Sequence, residues 1–401
     1  MEEMSVAQRR ARVVTRQLLD GSARTPVDAA RAVGVLHATD PATVYLSVLA
    51  RGSDLTLGDV SRAMYQDRSL VRMLAMRRTL FVVPTELTAV VHHAAAVQVA
   101  VMMRKRLLKQ LATIPTDPAL PPDLPGWLSE VEAGVASAVQ GLGVASGAQL
   151  SAAEPRLRTA LLPTSDKAYD VRRSITSQVL ALMGAEGRLV RREPLGSWTS
   201  RQHTWEAGTA WWPDGIPDLD PHEARCRLVE AYLSRFGPAT EADIAWWTGW
   251  SSGTTRRAVA GVRTESLGDH GLVLAGDGDD MRGGSTSNGG RFDTMAPTAA
   301  LLPALDPTPM GWKQRDWYLP DDPRPLFDSY GNVGPTIWWG GEVVGGWAVR
   351  GDGTIGTRLL VDRGSEAETA VRAAAETLAP RLEGAVVVPS FRTPLERELS
   401  S

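Results

Sequence analysis

Up to about residue 275 the apolar residues recur at three- and four-residue intervals in short blocks, many opened by Ser, Thr or Asp. This is the pattern of capped amphipathic helices. Thr25-Pro26 opens one such helix through Val27, Ala30 and Val33, and Asp40-Pro41 opens another over the apolar run Ala42 to Ala50. Aspartate accepts an orphan N–H of the first turn, and proline has no N–H to lose. Leu55 to Met64 and then Ser69 to Met76 predict two short helices joined by a turn near Gln66-Asp67, after which Arg77 to Pro84 switches to strand-like residues. Helix, turn, helix, strand is the order of a winged helix-turn-helix unit.

The order recurs. Gly147 to Leu150, Ala153 to Leu161 and Ser174 to Met183 lead into the wing-like Gly187 to Arg192, and Phe236 to Ala245, a turn at Gly249-Trp250 and Ser252 to Val259 lead into the strand Gly271 to Leu274. Asp59, Gln149 and Asp243 match across the three copies, which predicts three tandem winged helices at residues 1–112, 126–213 and 221–276. Pro115 to Pro125 connects the first two, and Met102 to Lys109 reads as a basic helix end. A glycine- and serine-rich stretch from Gly276 to Gly290 predicts a mobile loop or a hairpin turned at Asn288-Gly289.

From residue 297 to 401 the pattern changes to strands. Val333 to Trp339 and Glu342 to Val349 flank Gly340-Gly341, a hairpin signal because glycine accepts positive φ. Thr354 to Val361 adds a strand, Ser365 to Leu378 a helix and Ala385 to Val388 a last strand. The expected fold class is α+β: three tandem winged helix-turn-helix units with a C-terminal β-rich meander or small barrel. Trp338, Trp339 and Trp347 read as its core.

Composition narrows the chemistry. The 401 residues contain one cysteine, Cys226, and six histidines without ligand spacing, so neither a metal nor another cofactor is implied. No apolar run reaches membrane-span length and no signal-type segment follows the charged N-terminus, so the expectation is a cytoplasmic protein that does not engage a membrane. The net charge is -3, yet residues 1–110 hold 16 Lys and Arg against 9 Asp and Glu. A basic N-terminal third is an electrostatic footprint for phosphates. Just before the Asp40 cap the chain should be extended, which would turn His37 and Thr39 to one side at a positive helix end.

Leu36 to Phe81, Phe236 to Thr240, Leu301 to Asp306, Gly311 to Arg315 and Gly331 to Thr336 together resemble the winged-helix DNA-crosslink glycosylase family of the AlkZ/YcaQ type. The resemblance spans most of the chain. It implies a monomer with a basic concave surface that removes bulky alkylated purines, N7-alkylguanine adducts or interstrand crosslinks, from duplex DNA, in some members for self-resistance to a DNA-alkylating natural product. Family chemistry is assigned to Gln-x-Gln or Gln-x-Asp just before Asp-Pro, where this chain has His37-Ala38-Thr39. Relatives also look more like Arg-Gly-Thr-Leu-His where this chain has Arg77-Arg78-Thr79-Leu80-Phe81. Within the resemblance, His37 is the expected base or water-orienting group, Thr39 its partner and Asp40 a cap. Arg68, Arg72 and Arg77, on the second helix and wing of the first unit, would contact phosphates, and a loop with Trp312, Lys313 and Arg315 would wedge into a groove. The competing expectations are a winged-helix transcription regulator without catalysis and an interaction protein with no DNA role.

Overall fold

A computed structural model describes residues 4–168, 170–277 and 297–401. The expected hairpin at Asn288-Gly289 lies outside the described residues. Two compact units form: Met1–Leu70, Phe81–Thr85 and Arg225–Ser401 make the first, and Val71–Leu80 and Glu86–Ala224 the second. Paired strands run antiparallel in sheets of two to four.

The three positions matched along the sequence share one structural task. Asp59, Gln149 and Asp243 are each the third residue of a helix opened by Thr56, Ser146 and Thr240, and each closes a reciprocal capping box. Two orphan N–H groups are thereby satisfied at each helix start. In the first unit the helices Pro26–Val33, Pro41–Leu49 and Leu57–Tyr65 follow one another. Farther on, Glu241–Thr248 and Ser252–Ala260 precede the hairpin of Thr264–Ser266 and Leu272–Leu274. In the second unit Gly147–Ala153 and Thr176–Ala185 precede the strands Leu189–Pro194 and His203–Ala207.

One predicted helix is a strand. Leu70–Leu74 is extended, and Arg68 before it takes a left-handed φ of 53°. That conformation ends the helical path, and so short an apolar run between two turns suits a buried strand as well as a helix. Arg72 therefore lies on a buried strand, and no helix follows Leu57–Tyr65 where the sequence predicts the second of the pair.

The C-terminal region orders Ala299–Leu302, Thr336–Trp339, Glu342–Val349 and Ile355–Leu359 into one meander, with Gly340 and Gly341 at φ 55° and 86° in its tight turn. Helices Gly364–Arg381 and Pro394–Leu399 pack on it. Trp338, Trp339 and Trp347 are buried as expected, and the Trp347 indole donates to the Leu302 carbonyl at 2.9 Å. Ala385 to Val388, predicted as a last strand, pairs with no strand although Val386, Val387 and Val388 alternate between solvent and interior.

One helical stretch, Thr85–Thr113, nearly all of it in the second unit, is long and apolar enough to cross a membrane by length and composition, against the expectation that no run reaches that length. Half of its apolar window is buried inside the protein, and Ala100, Leu107 and Leu111 join the unit's core with Val131, Val135, Leu182 and Trp205. Arg104, at its basic end, is committed to Glu132 and Glu186, whereas Lys105, Arg106 and Lys109 are exposed.

Candidate active site

The helix Pro41–Leu49 starts as the sequence dictates. Asp40 is extended (φ -98°, ψ 118°), and its Oδ1 accepts the Ala42 N–H at 3.3 Å. Its Oδ2 accepts from the backbone N–H and the hydroxyl of Ser390, at 2.9 and 3.0 Å. The cap thus also pins the C-terminal region to the front of this helix. Beside it lies a cavity of about 20 Å³ bordered by Asp40, Thr43, Ala304, Trp347 and Glu396, room for roughly one water.

The rest of the helix is anchored from three sides. Thr43 Oγ1 donates to the Ala304 carbonyl at 3.0 Å. One turn later Ser47 donates to Asp306 Oδ2 at 2.6 Å, and Arg51 forks both of its Nη atoms onto the Asp306 carboxylate at 2.8 Å each. The Thr308 N–H also donates to Asp306, and Leu305 next to it holds a left-handed φ of 62°, a conformation a branched side chain adopts only when its surroundings impose it. Arg381 closes the far end by donating to the carbonyls of Leu49, Gly52 and Leu55, the carbonyls and the cation being favourably matched at a helix C-terminus.

His37 ends the two-residue strand Leu36–His37, which pairs with Leu80–Pro84 so that His37 stands directly opposite Phe81. The imidazole is 8% exposed and meets the Phe81 ring edge to face, with centroids 5.7 Å apart. Thr39 is exposed. Strict alternation was expected to put both side chains on one side, but the strand stops at His37, Ala38 is buried and the chain bends at Thr39. The two residues share a place in the chain and differ in environment.

The expected DNA contacts divide. Arg77 is exposed at a tight tip, φ 54°, closed by Arg78 N–H to Ala75 and Ala75 N–H to Thr79 bonds. Arg68 is half-buried and Arg72 buried. Lys313 is exposed, its backbone N–H held by Asp243 at 2.8 Å. Arg315 is half-buried over Trp246 and Phe327, 4.8 and 5.4 Å from the ring centroids. Trp312 is no wedge: it is 1% exposed, donates to the Phe236 carbonyl at 2.9 Å and packs against Phe236, Trp317 and Tyr318. An indole of this size is worth more in a core than on a loop tip, and here its N–H finds a partner inside.

Sequence reasoning missed Arg51, Arg381 and Ser390 as organisers of this helix. Ser390 lies 350 residues from Asp40, and nothing local to a serine marks such a bond. Asp306 had a signal, since it ends the motif Leu301 to Asp306, but its role needed its partner.

Comparison with known proteins places this geometry in context. The family model described as "AlkZ-like: DNA glycosylase AlkZ-like" matches residues 30–381. Among solved structures, the Streptomyces sahachiroi DNA glycosylase AlkZ matches with a TM-score of 0.67 at 20% identity, over 97% of this chain and 99% of that one. A search of curated proteins finds no match. The family match runs through the His37 strand, the Asp40 cap and the Asp306 anchor, and the chain belongs to the AlkZ-like DNA glycosylase family.

Proposed function

We propose that this chain is a monofunctional DNA glycosylase that hydrolyses the N-glycosidic bond of bulky alkylated purines, N7-alkylguanine adducts or crosslinks, in duplex DNA, as a device for self-resistance to a DNA-alkylating natural product. The observation that carries the reading is the His37 strand end at the capped, triply anchored helix within a glycosylase family match. An N7-alkylated purine is already cationic and leaves without a strong general acid. The enzyme has to stabilise an oxocarbenium-like sugar and place a water. His37 orients or deprotonates that water, and the exposed Thr39 hydroxyl, one residue before the cap, holds it from solvent side. Asp40 spends both oxygens on Ala42 and Ser390, which suits a cap better than a base. The family pattern that the sequence resembles carries a histidine at the position of Phe81. Here the imidazole stands on the residue directly opposite, His37, so the pair still presents one.

Three winged helices, at residues 1–112, 126–213 and 221–276, supply the duplex-binding surface in this reading, with Arg77 and Lys313 as exposed phosphate contacts. The protein acts as a monomer in the cytoplasm, without a metal or cofactor. A second reading, DNA binding without cleavage, draws on the absence of both family glutamines at 37 and 39. Duplexes carrying simple methyl and bulky N7-guanine adducts separate the two. The glycosylase releases the bulky base and leaves abasic sites, and His37→Ala with Thr39→Ala slows single-turnover release by about 10²-fold. Tight sequence-selective binding with no base released from either duplex selects the regulator, and an unchanged rate in the double variant removes His37 and Thr39 from the chemistry.

A further inference from the structure

The second unit holds a histidine that the proposed chemistry leaves unused. Between the α-helical turns Thr88–Val91 and Val97–Thr113 the chain passes through one turn of π-helix, His92–Ala96, a rare widened turn met most often at functional sites. His92 and His93 both border a cavity of about 480 Å³, and His92 also borders a second of about 510 Å³, with Glu186 common to the two. Each volume falls within the roughly 300–1,000 Å³ of small-molecule sites. The His92 ring is 8% exposed and meets His93 edge-on at 4.9 Å. Its Nδ1 is sealed from solvent without a hydrogen-bond partner among the described residues, so Nε2 is the ring nitrogen available to the cavities. Burial and then the charge of His93 lower the group to about 4. The imidazole is therefore neutral near pH 7.

The walls select the ligand by charge and by shape. Arg104 pairs with Glu132 at 2.9 Å and with Glu186 at 2.5 Å, and Arg188 pairs with the same two acids at 2.7 and 3.3 Å. Two cations match two anions, so a charged ligand would have to break a pair to be neutralised. His93 Nε2 is held 3.1 Å from the Pro217 carbonyl. Apolar surface comes from Val139, Leu189, Trp212 and Ile216 in the first cavity and from Val97 and Val101 in the second. Gly187 and Gly208 leave bare backbone in the first wall, and a Cβ at Gly208 would stand 1.9 Å from the Gly187 carbonyl oxygen. Bare backbone and an indole are flat surfaces that suit a planar ring. A neutral imidazole offers one donor or one acceptor at Nε2, and a hydroxyl satisfies either. We propose that His92 and the cavities it borders form a binding site for an uncharged aromatic small molecule whose ring packs on Trp212 and Ile216 and whose hydroxyl meets His92 Nε2. This site does not depend on the glycosylase reading.

Two measurements on the full chain test it, with naphthol as the probe and methoxynaphthalene, which lacks the hydroxyl proton, as its control. In the first, binding is followed by probe fluorescence and by the rise in thermal midpoint that a native-state ligand causes. Naphthol should bind saturably, one per chain, and Ala136→Trp, which fills the first cavity from its rim, should abolish binding of both probes. His92→Phe should weaken naphthol about fivefold, the worth of one hydrogen bond, and leave methoxynaphthalene nearly unchanged. In the second, the histidine ring carbons of the wild type are isotope-labelled, and the His92 resonance is assigned as the one missing in His92→Phe. Naphthol should move that resonance and leave those of His37 and His203 in place, a readout that needs no variant to bind the probe. Absence of saturable naphthol binding, binding that survives Ala136→Trp, or a His92 resonance that does not respond overturns the site. Equal weakening of the two probes in His92→Phe overturns the hydroxyl contact and with it the ligand class proposed here.

Discussion

Arg51 and Arg72 are twenty-one residues apart in the chain and almost equally buried, yet they meet opposite surroundings. Arg51 and Asp306 are both 0% exposed. The carboxylate accepts from both Arg51 Nη atoms, from Ser47 and from the Thr308 N–H. Arg72 Nε and Nη2 have no hydrogen-bond partner, and among the described residues no carboxylate pairs with the side chain. A guanidinium whose counter-charge is built into the fold serves the fold, as Arg51 does in holding the helix that carries Asp40. One whose counter-charge is missing from the fold is carried at a cost in stability. Burial alone does not separate the two roles, and the identity of the neighbours does.

The largest effect comes from breaking the compensated cluster. Burial by itself would raise the Asp306 carboxyl, but the charge of Arg51 and the hydrogen bonds from Arg51, Ser47 and Thr308 outweigh it and hold the group below the usual carboxylate range. Asp306→Asn leaves a buried guanidinium unpaired and should cost about 3–5 kcal/mol in urea denaturation. Arg51→Met together with Asp306→Leu removes both charges and should recover most of that loss. If Asp306→Asn were no more disruptive than Arg72→Met, the contrast between the clusters would be gone.

The sequence disclosed the two arginines unequally. The Asp40 cap and the Gly340-Gly341 turn were readable because each is decided within four residues, the first by a side chain that bonds nearby backbone and the second by glycine's tolerance of positive φ. Asp59, Gln149 and Asp243 were readable as matching positions, and their shared capping role needed the structure. Ser69 to Met76 was misread because a short apolar run between turns fits a strand and a helix alike. Arg72 was singled out for phosphate contact, but on a helix, whereas it lies on a buried strand. His37 was found from its place before the cap, while its packing on Phe81 needed the strand register. What failed to show was whatever depended on distant segments meeting.

The second effect is a pH dependence of stability carried by two histidines of the second unit. His92 is lowered to about 4 by burial and then by His93, and His203 to about 4 by burial and then by Arg191 and Arg72, with the Arg201 carbonyl partly opposing. For a depressed imidazole the unfolded chain takes up its proton near pH 6.5 and the folded chain only near 4. Stability is therefore fully present above about pH 6.5 and falls as the pH drops toward 4, by up to about 3 kcal/mol for the well-buried His92 and less for the half-exposed His203. Denaturant midpoints across this range should fall, and His92→Gln or His203→Gln should each flatten part of the fall.

The smallest effect tests the uncompensated side of the comparison directly. Arg72→Met keeps much of the packing volume and removes a buried charge whose Nε and Nη2 have no partner, so the variant should unfold at a temperature no lower than the wild type, with a gain on the order of 1 kcal/mol at most. Arg51→Met alone, which strands the buried Asp306 carboxylate, should by contrast unfold well below it. Two arginine-to-methionine changes of the same size with opposite outcomes would show that the neighbours of a guanidinium, and not its burial, set what it contributes to the fold.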